Sequence, residues 1–411
     1  MQLFCIVPMT TPSPEPNSLQ ALFQTAVEHH QAGRLREAEH LYQKLLAAAP
    51  DAGIIHSNLG MIYFDLNKLD KAMDHYRKAA QLQPGDSDIY FNLGLTLKKL
   101  GRFTEAEANY RQGLAISPDD ADFHYNLGTT LQAMDRADEA IRSYKRATEI
   151  QPEHGPAHNN LAFLCHKQGR TDEAILSYQH LIEIDHNSAS ARHMLSSLTG
   201  DTTAAAPDSY IRDVFNNYSG NYDNSLVNEL GYETPKLLRE MALNSENKKK
   251  FKNGLDMGCG TGLSGSAFHD LTQRLTGLDL SPGMLARAKK KNIYETLVET
   301  GIVDYLKTTD ELFDLFLATD VFVYLGDLSP VFRAIGNCCL NTACFAFSTE
   351  EADSGYQIKS SGRYGHALSY IEALAKEFDW DIVQHQTANI RRDKGKWIRG
   401  NLFVLSWKGD R

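Results

Sequence analysis

Three glycines at alternate positions, Gly258, Gly260 and Gly262, follow a short apolar run in LDMGCGTG from Leu255, and no other stretch of the chain speaks so directly of chemistry. Glycines lack a Cβ, so such a loop can turn sharply from strand to helix and let a ligand approach the main chain and the positive end of the next helix. Asp256 stands two residues before the first glycine, and Asp279 closes a second apolar run, RLTGLDL. A carboxylate at the end of a neighbouring parallel strand can accept both hydroxyls of a ribose. Asp256, at the exit of the first strand, suits an ammonium group, which a phosphate-binding loop has no reason to supply. The two acids and the loop together describe a site for a nucleoside that carries an amino acid.

The elements that must position these residues alternate. FDLFLAT from Phe313 and ACFAFST from Ala343 read as further apolar strands with helical patterns between them, which predicts a doubly wound sheet. WDIVQHQTANI, the turn at Asp393 to Gly395 and WIRGNLFVLSW then alternate like an antiparallel hairpin. On these motifs the second half of the chain resembles the class I S-adenosylmethionine-dependent methyltransferases, a Rossmann-like α/β fold. The resemblance implies S-adenosyl-L-methionine as cofactor, with Asp256 near its methionine moiety, Gly258, Gly260 and Gly262 in the loop, Asp279 on the ribose and Met284 of SPGML near the adenine. The third strand lacks the family's usual acid, so adenine recognition is expected from the backbone around Ile302, and Thr319 ends the fourth strand beside the cofactor. Gly260, Gly262 and Gly265 also spell the dinucleotide fingerprint GxGxxG, but Asp256, SPGML and a single mononucleotide-type unit favour the sulfonium cofactor.

Substrate chemistry belongs at the carboxyl ends of the strands. Asp320 and Tyr324 follow the fourth strand, Glu350 and Glu351 end the fifth, and Arg363, Tyr364 and His366 crowd an expected loop-to-helix junction. His366 or Asp320 is expected to take a proton from the nucleophile, with Arg363 clamping an anionic substrate and Tyr324 and Tyr364 lining its site. Tyr218 and Tyr222 are placed to close over a sulfonium. No NPPY-type loop is present, which argues against methylation of nucleic-acid bases, and no residue pattern names the acceptor.

The first half is a repeat. Tyr42, Tyr76, Tyr110, Tyr144 and Tyr178 stand 34 residues apart, as do Ala38, Ala72, Ala106, Ala140 and Ala174. Pro50, Pro84, Pro118 and Pro152 keep the period, with His186 in the fifth place, and a turn position runs Gly33, Asn67, Gly101, Asp135, Gly169. This is similar to the tetratricopeptide repeat, a helix-turn-helix unit that stacks into an all-α solenoid. Asn58, Asn92, Asn126 and Asn160 recur on the first helix, where a ladder of amides can hold the backbone of an extended protein or peptide ligand, with Phe91, Tyr125, Lys98 and Lys99 alongside.

A formal charge of −10 disfavours general nucleic-acid binding, and no apolar run approaches the length of a membrane span. Six cysteines without a CxxC pair indicate neither a zinc site nor a disulfide framework, which suits a reducing, cytoplasmic setting. The expected organisation is a disordered tail at 1–16, five repeats at 17–187, a capping helix and small polar linker at 188–207 and a methyltransferase domain at 208–411. As a whole the chain looks like the bacterial proteins that join tetratricopeptide repeats to a class I methyltransferase. The repeats would dock a protein or peptide substrate or partner, or recruit the enzyme while it modifies a small molecule. The alternative is an interaction scaffold whose methyltransferase domain binds cofactor but contributes little catalysis.

Overall fold

The computed structural model describes residues 18–218, 231–245, 250–393 and 395–407. The tail expected at 1–16, Tyr222 and the side chain of Tyr218 lie outside them. The chain divides into two units, Met1–Ile184 and Asp185–Arg411.

The first unit pairs its helices in order: α1 (Leu19–Gln31) with α2 (Leu35–Ala48), α3 (Gly53–Asp65) with α4 (Leu69–Leu82), α5 (Ser87–Lys99) with α6 (Phe103–Ile116), α7 (Ala121–Ala133) with α8 (Ala137–Ile150), and α9 (Gly155–Lys167) with α10 (Thr171–Ile184). The five periodic tyrosines and five periodic alanines are all buried. Each tyrosine of α4, α6 and α8 lies against a glycine of the helix before it. A Cβ on Gly60, Gly94 or Gly128 would stand only 2.7, 2.5 or 2.6 Å from the ring of Tyr76, Tyr110 or Tyr144. The turn between paired helices needs one left-handed residue, and Gly33, Asn67, Gly101, Asp135 and Gly169 supply it with φ of 72, 56, 74, 57 and 74°. That is why only glycine, asparagine and aspartate occur there.

A further periodic device escaped the sequence reading. The carbonyl of each repeat proline accepts a hydrogen bond from a side chain six residues on: Pro50 from His56 (3.1 Å), Pro84 from Tyr90 (3.3 Å), Pro118 from His124 (3.0 Å) and Pro152 from His158 (2.9 Å). These donors satisfy carbonyls just past the helix ends, which proline-containing turns leave without helical partners.

The second unit contains α11 (Ala189–Thr199), α12 (Asp208–Tyr218), α13 (Thr234–Ser245), β1 (Phe251–Met257), α14 (Leu263–Phe268), β2 (Thr272–Asp279), α15 (Pro282–Lys290), β3 (Thr296–Glu299), α16 (Ile302–Thr308), β4 (Phe313–Ala318), α17 (Ser329–Asn337), β5 (Cys339–Glu351), β6 (Tyr356–Ile358), β7 (Tyr364–His366), α18 (Leu368–Glu377), β8 (Trp380–Asp393) and β9 (Lys396–Trp407). Parallel pairing runs β3-β2-β1-β4-β5, and β9 adds antiparallel to β5 with β8 outside it. The end of β5 also pairs with β7, which carries β6. β4 is buried at every residue, as a central strand covered on both faces should be.

Two local expectations are corrected. The segment 188–207 does not behave as a repeat cap and an open linker, because it packs within the second unit. His193 of α11 bonds through Nε2 to the Gly362 carbonyl at 2.8 Å and lies against the rings of Tyr210 and Tyr364. The Ala204 carbonyl accepts the N–H groups of Gly326 and Asp327, Ala206 donates to the Tyr324 carbonyl, and Ala205 bridges to Leu325. Small side chains let this backbone lie flush against another stretch of main chain. Likewise Tyr364 and His366 stand on β7 rather than in a loop, because the end of β5 offers them a strand edge.

The left-handed turns yield a stability test. Asn67→Gly is expected to leave thermal stability unchanged or slightly raised, whereas Gly101→Val should cost about 1–2 kcal/mol, because a β-branched residue resists positive φ. Thermal unfolding of the full chain followed by circular dichroism checks both.

Candidate functional site

β1 ends at Met257 and the chain turns through Gly258, Gly260 and Gly262, all left-handed, at φ of 71, 53 and 90°. The conformation requires glycine three times within five residues. Asp279 fastens this loop from the end of β2: its Oδ2 accepts the Gly260 N–H at 2.9 Å and its Oδ1 the Ser281 N–H at 2.8 Å. Burial pushes the Asp279 carboxyl up, against the pull of these donors. Each oxygen keeps lone-pair capacity for a further donor.

A cleft opens over the loop. Its walls include Gly258, Gly260, Asp279, Ile302, Thr319, Asp320 and Tyr324 from the expected residues. Gly262 lies between the wall residues Thr261 and Leu263. Asp208, Ile211 and Phe215 of α12 line it too, at a spacing that puts them on one helix face, and Phe215 meets Tyr324 edge to face at 5.4 Å. Tyr232 was missed by the sequence reading. It lines the cleft near Thr319 and Asp320, and burial holds its hydroxyl well above the ordinary tyrosine range. Among the described residues, the charged side chains of the cleft wall are Asp208, Asp279, Asp304 and Asp320, with no lysine, arginine or histidine.

Several expected site residues stand elsewhere. Met284 is fully buried in the first turn of α15, where its N–H bonds to the Ser281 cap, so it is a core residue beside the site and not part of the wall. Asp256 is also fully buried behind the loop, and its Oδ2 accepts a 2.6 Å hydrogen bond from the Tyr294 hydroxyl. Tyr294 occupies space that a side chain on Gly265 would fill, since a Cβ there would lie 2.3 Å from the hydroxyl oxygen. Nothing in the periodicity around KKNIYETL marks this tyrosine, so its pairing with Asp256 was not legible.

His366 is buried with its Nε2 3.0 Å from the Gly326 carbonyl, and burial lowers its pKa to about 4. The ring is therefore neutral at ordinary pH and does not line the cleft. Tyr364 is buried too, with its hydroxyl bonded to that of Thr203. Arg363 lies behind Tyr324, with its guanidinium 5.7 Å from the ring centre and 3.9 Å from Glu350. Thr319 shares a hydrogen bond with Ser264. Asp320 has a left-handed backbone, φ 55°, and its N–H donates to Ser348 Oγ at 2.9 Å.

The first-helix asparagines of the other unit have local partners of their own. Asn126 accepts from Lys98 Nζ at 2.8 Å and donates to the Asp122 carbonyl at 2.9 Å, and Asn160 donates weakly to the Tyr144 hydroxyl at 3.4 Å. Asn58 and Asn92 are half-buried. Phe91 packs between Tyr110 and Phe123, and Lys99 lies over the Phe64 ring.

The burial of Asp256 has a pH signature. Burial raises its carboxyl to about 7, with the Tyr294 and Gly265 donors opposing and Asp279 adding to the rise. A carboxyl with a raised pKa binds its proton more tightly in the folded state. The stability linked to that proton is therefore full below the unfolded value of about 4 and is lost as pH rises towards 7. Asp256→Asn removes this loss. The stability of the variant relative to wild type should climb by on the order of 2–4 kcal/mol from about pH 4 to above pH 7. Calorimetric melting of the ligand-free protein across that range checks it, and a constant difference would refute the shift.

Comparison with known proteins agrees with this geometry. A family model described as a methyltransferase domain matches residues 255–345, and tetratricopeptide-repeat models match 60–101, 96–135 and 119–187. Nodulation protein S of Rhizobium tropici is 29% identical over 99 residues, which is 24% of this chain and 42% of that protein. Nodulation protein S of Sinorhizobium fredii is 28% identical over 86 residues, 21% of this chain and 40% of that protein. The chain thus spans about two fifths of the length of these curated relatives. Among solved structures, MamA aligns at a TM-score of 0.39 and 23% identity, covering 40% of this chain and 96% of MamA. YrrB, titled a TPR protein with an unusual peptide-binding site, aligns at 0.39 and 21%, covering 43% of this chain and 91% of its own. The chain carries tetratricopeptide repeats within residues 60–187 and, within the second unit, a methyltransferase domain whose sheet fits the class I fold.

Proposed function

We propose that the second unit is an S-adenosylmethionine-dependent methyltransferase and that the repeat unit docks the protein or peptide on which, or beside which, it works. The observation that carries the first part is the loop of three left-handed glycines tied by the Gly260 N–H to the carboxylate ending β2, open to a cleft. These residues fit the cofactor. Asp279 retains acceptor capacity for ribose hydroxyls, the backbone at Ile302 borders the cleft where an adenine would lie, and Gly258, Gly260 and Thr319 form the wall nearest the loop. Asp256 acts from behind, through the loop. When bound, S-adenosylmethionine supplies a methyl group on a sulfonium, an activated leaving group that needs little side-chain help beyond placement of the acceptor.

Of the two proposed proton acceptors, Asp320 is the better supported, because it lines the cleft while His366 is buried on a carbonyl. Tyr324 borders the same wall, with the Arg363 guanidinium behind its ring, and Arg363 keeps the proposed role of orienting an anionic acceptor through this wall. Tyr364 would support this wall from the core. In the repeat unit, Asn58, Asn92, Asn126 and Asn160 are proposed to meet the partner's backbone, with Lys98, which donates to the neutral Asn126 and Thr129 side chains, adding a cation. No described helix is long and apolar enough to cross a membrane. We place the protein in the cytoplasm on the acidic balance and cysteine usage of the chain. The competing reading, a scaffold with a catalytically marginal domain, draws on the absence of histidine, lysine and arginine from the cleft wall among the described residues.

Asp279→Ala should weaken S-adenosylmethionine binding about ten-fold or more, roughly 1.4 kcal/mol, as the ribose acceptor and the loop tether go together. Isothermal calorimetry measures it, and unchanged affinity removes Asp279 from the site. Replacing Asn92 and Asn126 together by alanine should abolish recovery of partner proteins in pull-downs while cofactor affinity stays at the wild-type value. Retained capture moves the docking surface elsewhere on the array.

A further inference from the structure

The last strand pair brings up behind the cleft wall a residue that strand alternation would have left in solvent. Ile390 and Arg391 are neighbours on β8, and a regular strand would bury one and expose the other. The pairing register with β9 shifts between Asn389 and Arg391, and both Ile390 and Arg391 are buried, at 2 and 3% exposure. Such a bulge bends the strand and re-aims a side chain. Here the guanidinium donates from Nη1 to Asp320 Oδ1 and from Nη2 to Glu350 Oε1. Glu350, itself 1% exposed, also accepts from Lys359 Nζ at 2.9 Å and lies near Arg363.

An arginine sealed at this depth is costly unless its partners are in place, and an apolar residue would serve packing at least as well. Its partner Asp320 is a wall residue of the cleft, held in a left-handed backbone that aspartate adopts at some cost. We infer that Arg391 is a positioning residue of the cofactor cleft: it orients the Asp320 carboxylate on the wall, towards the positively charged end of the bound ligand. This rests on reading the cleft as a site for S-adenosylmethionine, which carries a sulfonium and an ammonium. The groups that act on the Asp320 charge are Glu350, Arg363 and Arg391, with the hydroxyls of Tyr232 and Tyr324 close by. Burial drives the carboxyl up, to about 7, with Arg363 opposing and Glu350 adding to the rise. The Arg391 guanidinium, in direct contact, works against that rise and favours the anion.

The test uses the full chain and S-adenosylmethionine, with affinity measured by calorimetry from about pH 6 to pH 8 for wild type, Arg391→Gln, Arg391→Lys and Asp320→Asn. Loss of the Arg391 contact removes a stabiliser of the anion, so the Asp320 carboxyl is protonated over more of this window than in wild type. The ratio of wild-type to Arg391→Gln affinity should then be about five-fold larger at pH 6 than at pH 8, and Arg391→Lys should restore most of the wild-type profile. In the Asp320→Asn background the effect of Arg391→Gln on affinity should be independent of pH. A ratio independent of pH in the Arg391→Gln variant overturns the assignment. Should that variant fail to fold, Asp320→Asn decides: weaker binding that varies least from wild type at low pH supports it, and wild-type affinity overturns it. If wild type itself takes up no S-adenosylmethionine at any pH, the reading of the cleft has failed, and the role given to Arg391 falls with it.

Discussion

Carboxylates drawn out of water at the carboxyl edge of the sheet dictate the rest of the second unit. An anion removed from solvent is tolerated only when hydrogen bonds or countercharges replace its hydration. Asp256 takes the Tyr294 hydroxyl, Asp279 takes two backbone N–H groups, and Asp320 and Glu350 share Arg391. Each solution ties down a different element. The first draws the connection before β3 under the glycine loop, the second fixes the loop to β2, and the third bends β8 inward. The same rule operates at the opposite edge, where Asp314 caps the start of β1 by accepting the N–H groups of Lys252 and Asn253. The cleft is what remains where these constraints meet.

The repeat unit depends on steric fit more than on charge. Three of its tyrosines fill spaces left by glycine on the preceding helix, and its turns close only through residues that tolerate positive φ. Salt bridges such as Arg136 with Glu107, or Lys145 with Glu173, join helices across the surface, where each contributes little on its own. A solenoid built this way is held by neighbours touching neighbours, so a fault in one unit weakens the array locally.

What was legible in the sequence follows from this division. A period of 34 residues exposes steric rules directly, because the same residue types recur in five units, so Tyr42 to Tyr178 and the turn residues could be named in advance. The glycine loop and Asp279 were legible for a related reason: backbone constraints leave a residue-type signature. Pairings made by distant parts of the chain leave none. Tyr294, Tyr232 and Arg391 stand in unremarkable local sequence, and only the fold carries them to Asp256, Thr319 and Asp320. The segment 188–207 misled for the opposite reason. Small polar composition reads as a linker, yet the absence of bulk is what lets residues 204–206 lie against Tyr324 to Asp327.

Strand length explains why the charged cluster exists at all. β4 ends at Ala318, whereas β5 continues to Glu351 and so runs past its neighbour. The edge that β4 leaves free is taken by β7, at Glu350 and Glu351, while β9 still covers the other side at Glu350. Glu350 therefore sits between two strands at the point where β4 has already turned into Asp320. From that position it can gather Lys359 and Arg363, which flank the short β6 and β7, and Arg391 from β8. The cations are drawn back behind the cleft by one buried glutamate, and the wall is left to aspartates, tyrosines and backbone. A cleft of that character is suited to a ligand bearing positive charge, as the proposed cofactor does.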